Sequence, residues 1–176
     1  MKDDYAVRIV LPDDVEAFWQ LRLRALLNHP EAFGSDYEES LRAGPEYAER
    51  GYFVTGVNRL FAAFSPGNDL VAQAGVYQES GKRSHIANVF GVYTDQAHRG
   101  HGLASQLVRT CIEHLEGFPE ITSIRISVNS GNDAAIHIYQ RLGFRAWGEE
   151  PDAIRTADGS CHNELHMVLS TGARRV

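Results

Sequence analysis

Cysteine is scarce in this chain. Cys111 and Cys161 are the two present, and they share neither metal-ligand nor redox spacing. Cys111 also falls on the apolar stripe of an expected helix, so both read as reduced thiols of a cytoplasmic protein. Positive charge is in deficit: 17 Lys and Arg stand against 23 Asp and Glu, a formal charge of −6. That balance excludes a general nucleic-acid binder, which needs a basic face to neutralise phosphates. Any anionic ligand must therefore be held locally. No hydrophobic run approaches the roughly 20 residues of a membrane-spanning helix. Lys2, Asp3 and Asp4 precede only a short strand-like run, so neither a signal peptide nor a membrane span is expected. Repeats, low-complexity tracts and linkers are absent as well.

What remains is an ordinary globule, with 176 residues, 43% hydrophobic and 23% charged. That length supports one well-cored domain, taken as residues 1–176, and is too short for two comfortable ones. The chain is organised around Val92-Tyr93-Thr94-Asp95-Gln96-Ala97-His98-Arg99-Gly100-His101-Gly102-Leu103-Ala104. A β-branched and aromatic run ends in a polar loop, two glycines follow at alternate positions, and a helical apolar pattern begins at once. The first N–H groups of such a helix lack intrahelical partners, and glycines let an anion approach the backbone. Arg99, His98 and His101 add side chains suited to the same charge, so the junction reads as a pyrophosphate cradle.

Elsewhere the periods alternate. Tyr5–Val10 reads as a strand, and Val15, Phe18, Trp19, Leu23, Leu26 and Leu27 repeat at helical spacing after a start at Pro12-Asp13-Asp14. A loop at Glu31–Ser35 and a polar, helical stretch from Asp36 to Glu49, broken at Gly44-Pro45, follow. Strands are expected at Tyr52–Val57, Arg59–Phe64, Leu70–Gln78 and Ser84–Thr94, arranged as an antiparallel meander. Leu103, Leu107, Val108, Cys111, Ile112 and Leu115 form a helical stripe ended by Gly117 and Pro119. A strand at Ile121–Val128 leads to the cap Asn129-Ser130-Gly131-Asn132-Asp133. A helix follows with Ala135, Ile138, Tyr139 and Leu142 on one face. Phe144–Trp147 and Asn163–Leu169 read as the last two strands, joined by a polar loop containing Pro151 and Asp158-Gly159.

Two motifs carry a resemblance. Gly100 and Gly102 fit a Q/R-x-x-G-x-G/A loop, with Ala97 where Gln or Arg is usual. Some thirty residues on, Asn129 to Ala135 running into Tyr139 and Leu142-Gly143-Phe144 is similar to N-x-x-N-x-x-A…Y-x-x-x-G-F. Together they resemble the GNAT superfamily of acyl-CoA-dependent N-acetyltransferases, firmly over about residues 84–148. The resemblance implies an α/β (α+β) fold with a single mixed, mostly antiparallel sheet of about seven strands, splayed between strands 4 and 5 and flanked by about four helices. It implies acetyl-CoA as co-substrate and transfer of its acetyl group to a primary amine of a small molecule or peptide, by direct attack in a ternary complex. The pantetheine arm would lie along Val92, Tyr93 and Thr94, and the pyrophosphate on Arg99, Gly100, His101, Gly102, Leu103 and Ala104, with Asn132 beside them.

Alignment of the two reactants can itself contribute about 7–11 kcal/mol. The resemblance assigns the Tyr139 hydroxyl to the departing thiolate; without the motif, Tyr139 would read as a core aromatic. Many members carry a glutamate where this chain has Asn88, and an amide cannot take a proton. Asn88 could position a water, and His85 has a suitable ordinary pKa. Acceptor contacts are expected from Glu31, Phe33, Tyr77, Asn129 and Glu164, because a cationic amine should meet carboxylates and aromatic faces. His162 and His166 share a strand face but lack the helical zinc pattern and an evident third ligand, so no metal is expected. A P-loop is excluded because no Lys-Ser or Lys-Thr pair follows Gly102. A non-catalytic acyl-CoA sensor, a protein N-terminal or lysine acetyltransferase, and a homodimer all stay open at this point.

Overall fold

The computed structural model describes residues 5–52 and 56–171. One seven-stranded sheet runs in the order β1-β2-β3-β4-β5-β7-β6. Its strands are β1 Ala6–Ile9, β2 Arg59–Phe64, β3 Leu70–Gln78, β4 Ile86–Thr94, β5 Ser123–Asn129, β6 Arg145–Arg155 and β7 Cys161–Ser170. The β4–β5 pair is parallel and the other pairs are antiparallel. The helices are α1 Val15–Asn28, α2 Tyr37–Ala43, α3 Glu46–Tyr52, α4 Leu103–Glu116 and α5 Asp133–Arg141. None of the described helices is long and apolar enough to cross a membrane.

Strand alternation divides the core into two layers. Leu60, Ala62 and Phe64 of β2 pack with Phe18, Trp19 and Leu21 of α1, whereas Phe61 and Ala63 join the α4 stripe on the opposite face. Leu107, Val108, Cys111 and Leu115 of that stripe are wholly buried, and truncating such a leucine to alanine costs about 2–5 kcal/mol. Residues Ile124, Ile126 and Val128 of β5 face the α4 layer too. Alternation therefore turns Arg125, Ser127 and Asn129 toward the α1 side.

Three boundaries differ from the sequence expectation. Of the strand expected at Tyr52–Val57, Tyr52 instead closes α3, residues 53–55 lie outside the described residues, and Gly56 and Val57 form a bend. The expected Asp36–Glu49 stretch is two short helices. Gly44, at φ +70°, ends α2, so α3 adds a fifth helix to the four expected. Strand β6 runs well past Trp147 and absorbs Pro151. It can do so because β6 is an edge strand whose register shifts between Glu150 and Ile154, so the missing proline N–H breaks no ladder bond. Lys2, Asp3 and Asp4 lie outside the described residues.

Candidate active site

Strands β4 and β5 pair only from Ile86–Ser123 to Val89–Ile126. Beyond that point they part, and the cause lies in β4. Three steps of β4 from Phe90 to Tyr93 span the same length as two steps of β3 between Gly75 and Gln73, a β-bulge with Gly91 at φ +64°. A bulge bends its strand and adds twist. The strands open into a cleft of about 700 Å³, walled by both splayed strands and by segments from both faces of the sheet. On its α1 side Phe90 is fixed by Gly75, since a Cβ there would collide with the Phe90 ring.

On the α4 side the wall is an anion cradle. Gly100 and Gly102 have φ +85° and +75°, and a Cβ on either would project into open space. Gly102 is the N-cap of α4 and supplies no side-chain cap. The first helical amides at Leu103, Ala104 and Ser105, all in the cleft wall, thus face outward without intrahelical acceptors. Asn132 caps α5 by accepting from Ala135 N at 3.1 Å. The Thr94 hydroxyl oxygen is buried in the wall without a hydrogen-bond partner among the described residues. Open space above the glycines, uncapped amides and an orphaned hydroxyl together fit a diphosphate on a polar, extended arm.

Tyr139 lines the same cleft from α5 and is 5% exposed. Burial pushes its phenol pKa up, and nearby Cys111 adds to the shift. Tyr139 therefore stays protonated at ordinary pH and keeps its proton to donate.

On the α1 side the turn at Pro30–Ala32 crosses the gap and brings Glu31 and Phe33 into the wall. Asn129 holds it there by donating from Nδ2 to the Glu31 carbonyl at 2.9 Å. Arg99 donates from Nη2 to His29 Nε2 at 3.0 Å and from Nε to the Thr94 carbonyl at 3.2 Å. His29 Nδ1 lies 3.4 Å from Glu31 Oε1. Since Arg99 occupies Nε2, the proton of a neutral His29 sits on Nδ1, toward the carboxylate.

The cleft gathers Tyr139, Val92, Tyr93, Thr94, Arg99, Gly100, Gly102, Leu103, Ala104, Asn132, Glu31, Phe33 and Asn129. His101, Tyr77, Glu164, Asn88 and His85 lie outside its walls. His101 packs near Tyr5, with ring centroids 5.1 Å apart. Tyr77 stands beside Phe90 at 5.6 Å. His85 is exposed where β4 begins. Asn88 donates to Glu79 Oε1 at 3.3 Å. Hydrogen bonds from Arg83 and then Asn88 pull the Glu79 carboxyl down to about 2.

Sequence reasoning missed Ser127, which is in the wall. Its hydroxyl lies 2.8 Å from His166 Nδ1, and His166 Nε2 lies 3.1 Å from Glu150 Oε2. Glu150, Glu164 and His166 bring polar atoms within 4.8 Å of one another, and His162, which shares the strand face with His166, is not part of that group. Burial raises the Glu164 pKa; His166 opposes that shift and Glu150 adds to it.

Residues 21–144 match the model of the acetyltransferase (GNAT) family. The chain belongs to the GNAT family. It is accordingly an N-acetyltransferase. The GNAT chain is 27% identical over 127 residues to the L-amino acid N-acetyltransferase AaaT of Escherichia coli, covering 72% of this chain and 76% of that one. It is 29% identical over 136 residues to a mycothiol acetyltransferase of Thermobispora bispora, covering 76% of this chain but only 44% of that protein's length. The fold matches a GNAT superfamily phosphinothricin acetyltransferase from Sinorhizobium meliloti, solved in complex with acetyl-CoA. The TM-score there is 0.80 at 12% identity, over 98% of this chain and 90% of the other.

Proposed function

We propose that this protein transfers the acetyl group of acetyl-CoA to the primary amine of a small molecule or peptide, in one ternary complex. The observation that carries the reading is a cleft passing through the sheet, with an uncapped helix N-terminus on one face and a carboxylate and aromatic wall on the other. Two reactants can enter from opposite faces and meet between β4 and β5. On this reading Leu103, Ala104, Gly100 and Gly102 offer backbone N–H groups to the diphosphate, with Arg99, His101 and Asn132 at its edges. Val92, Tyr93 and Thr94 offer the freed strand edge to the amides of the pantetheine arm. Tyr139 donates a hydrogen bond to the sulfur as negative charge grows on it.

The acceptor side favours a cation. Glu31, Phe33 and Asn129 stand in the wall, with Tyr77 and Glu164 further out, and the chain carries −6 overall. A small amine such as an amino-acid derivative or polyamine suits that field. The similarity to an L-amino acid N-acetyltransferase supports the first of these. The free thiols Cys111 and Cys161 fit a reducing, cytoplasmic setting. A thermal-shift and thiol-release screen with acetyl-CoA and an amine panel tests the reading. Stabilisation by acetyl-CoA and amine-dependent thiol release are expected, whereas stabilisation by a nucleotide without CoA would overturn it.

A further inference from the structure

An amine reaches the cleft as ammonium and must lose a proton before its lone pair can attack. Asn88 cannot accept one, and Glu79 beside it is held too acidic to do so efficiently at neutral pH. We propose that Ser127, His166 and Glu150 form the relay that takes this proton. The proposal rests on the acetyltransferase reading above.

Ser127 lies on β5 where the strands part and lines the cleft. Its neighbour across the ladder is His166 of β7, and the hydroxyl lies 2.8 Å from Nδ1. The far ring nitrogen lies 3.1 Å from the Glu150 carboxylate of β6. A carboxylate can only accept, so Nε2 carries the proton of the neutral ring. Nδ1 is then left to accept from serine. This arrangement leaves a lone pair on Ser127 Oγ available to the cleft. When the ammonium N–H bond breaks, its proton bonds to Oγ while the serine proton passes to Nδ1. The amine is neutral, serine is unchanged, and His166 becomes an imidazolium between a hydroxyl and a carboxylate.

The surroundings suit that charge. Glu164 and Glu150 both face His166. Trp147 of β6 stacks on the imidazole with ring centroids 5.4 Å apart and planes 24° from parallel. Arg125 of β5 and Arg145 of β6 both pair with Val168 of β7 and so share this face, as does His162 of β7; the Arg125 guanidinium carbon lies 5.5 Å from the Trp147 ring centre. The stack and the two hydrogen bonds fix the ring in the plane the relay needs. They also give a reason for a tryptophan left 57% exposed. Ser127 is the group that touches substrate; His166 and Glu150 act through it.

The test compares pH profiles of kcat/KM for the full chain and for Ser127→Ala, His166→Gln and Glu150→Gln. Two acceptors are used, the best alkylamine found for the unaltered protein and its analogue with a trifluoromethyl group on the carbon bearing nitrogen, which is largely uncharged at neutral pH. For the alkylamine at pH 7, Ser127→Ala and His166→Gln should lose about 100-fold, the scale of a lost general base. The loss should shrink as rising pH supplies free amine. For the fluorinated amine the loss should stay within about threefold, and the KM for acetyl-CoA should not move. Equal losses on both amines, or variant profiles parallel to the original, overturn the relay. Turnover abolished by a chelator and restored by a divalent ion also overturns it, because the Glu150, Glu164 and His166 group would then be a metal site. No amine-dependent turnover by the unaltered chain overturns the underlying reading and the relay with it.

Discussion

The Asn129 amide donates to the Glu31 carbonyl oxygen at 2.9 Å across 98 positions of sequence. The same side chain accepts from Gly131 N at 2.8 Å, so one residue ties the end of β5 to the turn after α1 and to its own loop. Asn129→Ala removes both bonds, at about 0.5–1.5 kcal/mol each. The expected kinetic result is a higher KM for the amine with acetyl-CoA affinity nearly unchanged, measured by steady-state kinetics alongside a melting curve. A change in acetyl-CoA affinity instead would place Asn129 on the other substrate's side.

Gly100→Val and Gly102→Val put side chains into open space and onto backbones at φ +85° and +75°. With ligand at a hundred times Kd, acetyl-CoA should stabilise the unaltered protein by about 2.7 kcal/mol. Both variants should lose that gain. Melting curves without ligand separate the loss from simple backbone strain.

Tyr139→Phe should lower kcat with little effect on acetyl-CoA binding, because the hydroxyl acts only when charge develops on sulfur. Equal loss in kcat and binding would make Tyr139 a binding residue. Unchanged kinetics would return it to the core.

Burial raises the pKa of both Cys111 and Tyr139. In the unfolded chain they ionise near their ordinary values of about 8.5 and 10. Above those values the folded state binds more protons than the unfolded one, so stability falls as pH rises. Denaturant melts from pH 7 to 10.5 should show this decline beginning near pH 8.5, at up to about 1.4 kcal/mol per pH unit for the first group. Cys111→Ala should be less stable at pH 7 yet show a later onset. An unchanged onset would mean that another group drives the decline.

Charge selection at the acceptor side gives the fourth comparison on activity. Glu31→Gln and Glu164→Gln should reduce kcat/KM for a cationic polyamine more than for a singly charged amine of similar size, since each removes a negative charge that the extra cation feels. Full retention of kcat/KM on the polyamine by both variants would remove these carboxylates from acceptor selection.

The cradle was legible because its demands are local. Gly100 and Gly102 stand out where a strand turns directly into a helix, and Asn132 caps a helix within its own stretch of chain. The parting of β4 from β5 came from the family resemblance, although its cause was also written in the sequence. Gly91 interrupts a β-branched run, which is the mark of a bulge. Pro151 misled in the opposite sense, since a proline stops a central strand but not an irregular edge. The relay was least legible of all. Ser127, His166 and Glu150 come from three strands, and their meeting depends on β7 inserting between β5 and β6. Asn88 on β4 and His85 just before it are candidates that one stretch of chain offers, whereas this meeting is written in no single stretch.

The stack of Trp147 on His166 has an optical consequence. The chain has two tryptophans: Trp19 is 4% exposed inside the α1 layer, and Trp147 is 57% exposed on the imidazole. Their emission should differ in wavelength, blue for the buried indole and red for the wet one. Protonated imidazole quenches a stacked indole more strongly than the neutral ring. The red component of the fluorescence is therefore a built-in indicator of the protonation of His166, readable in the unmodified protein without substrate.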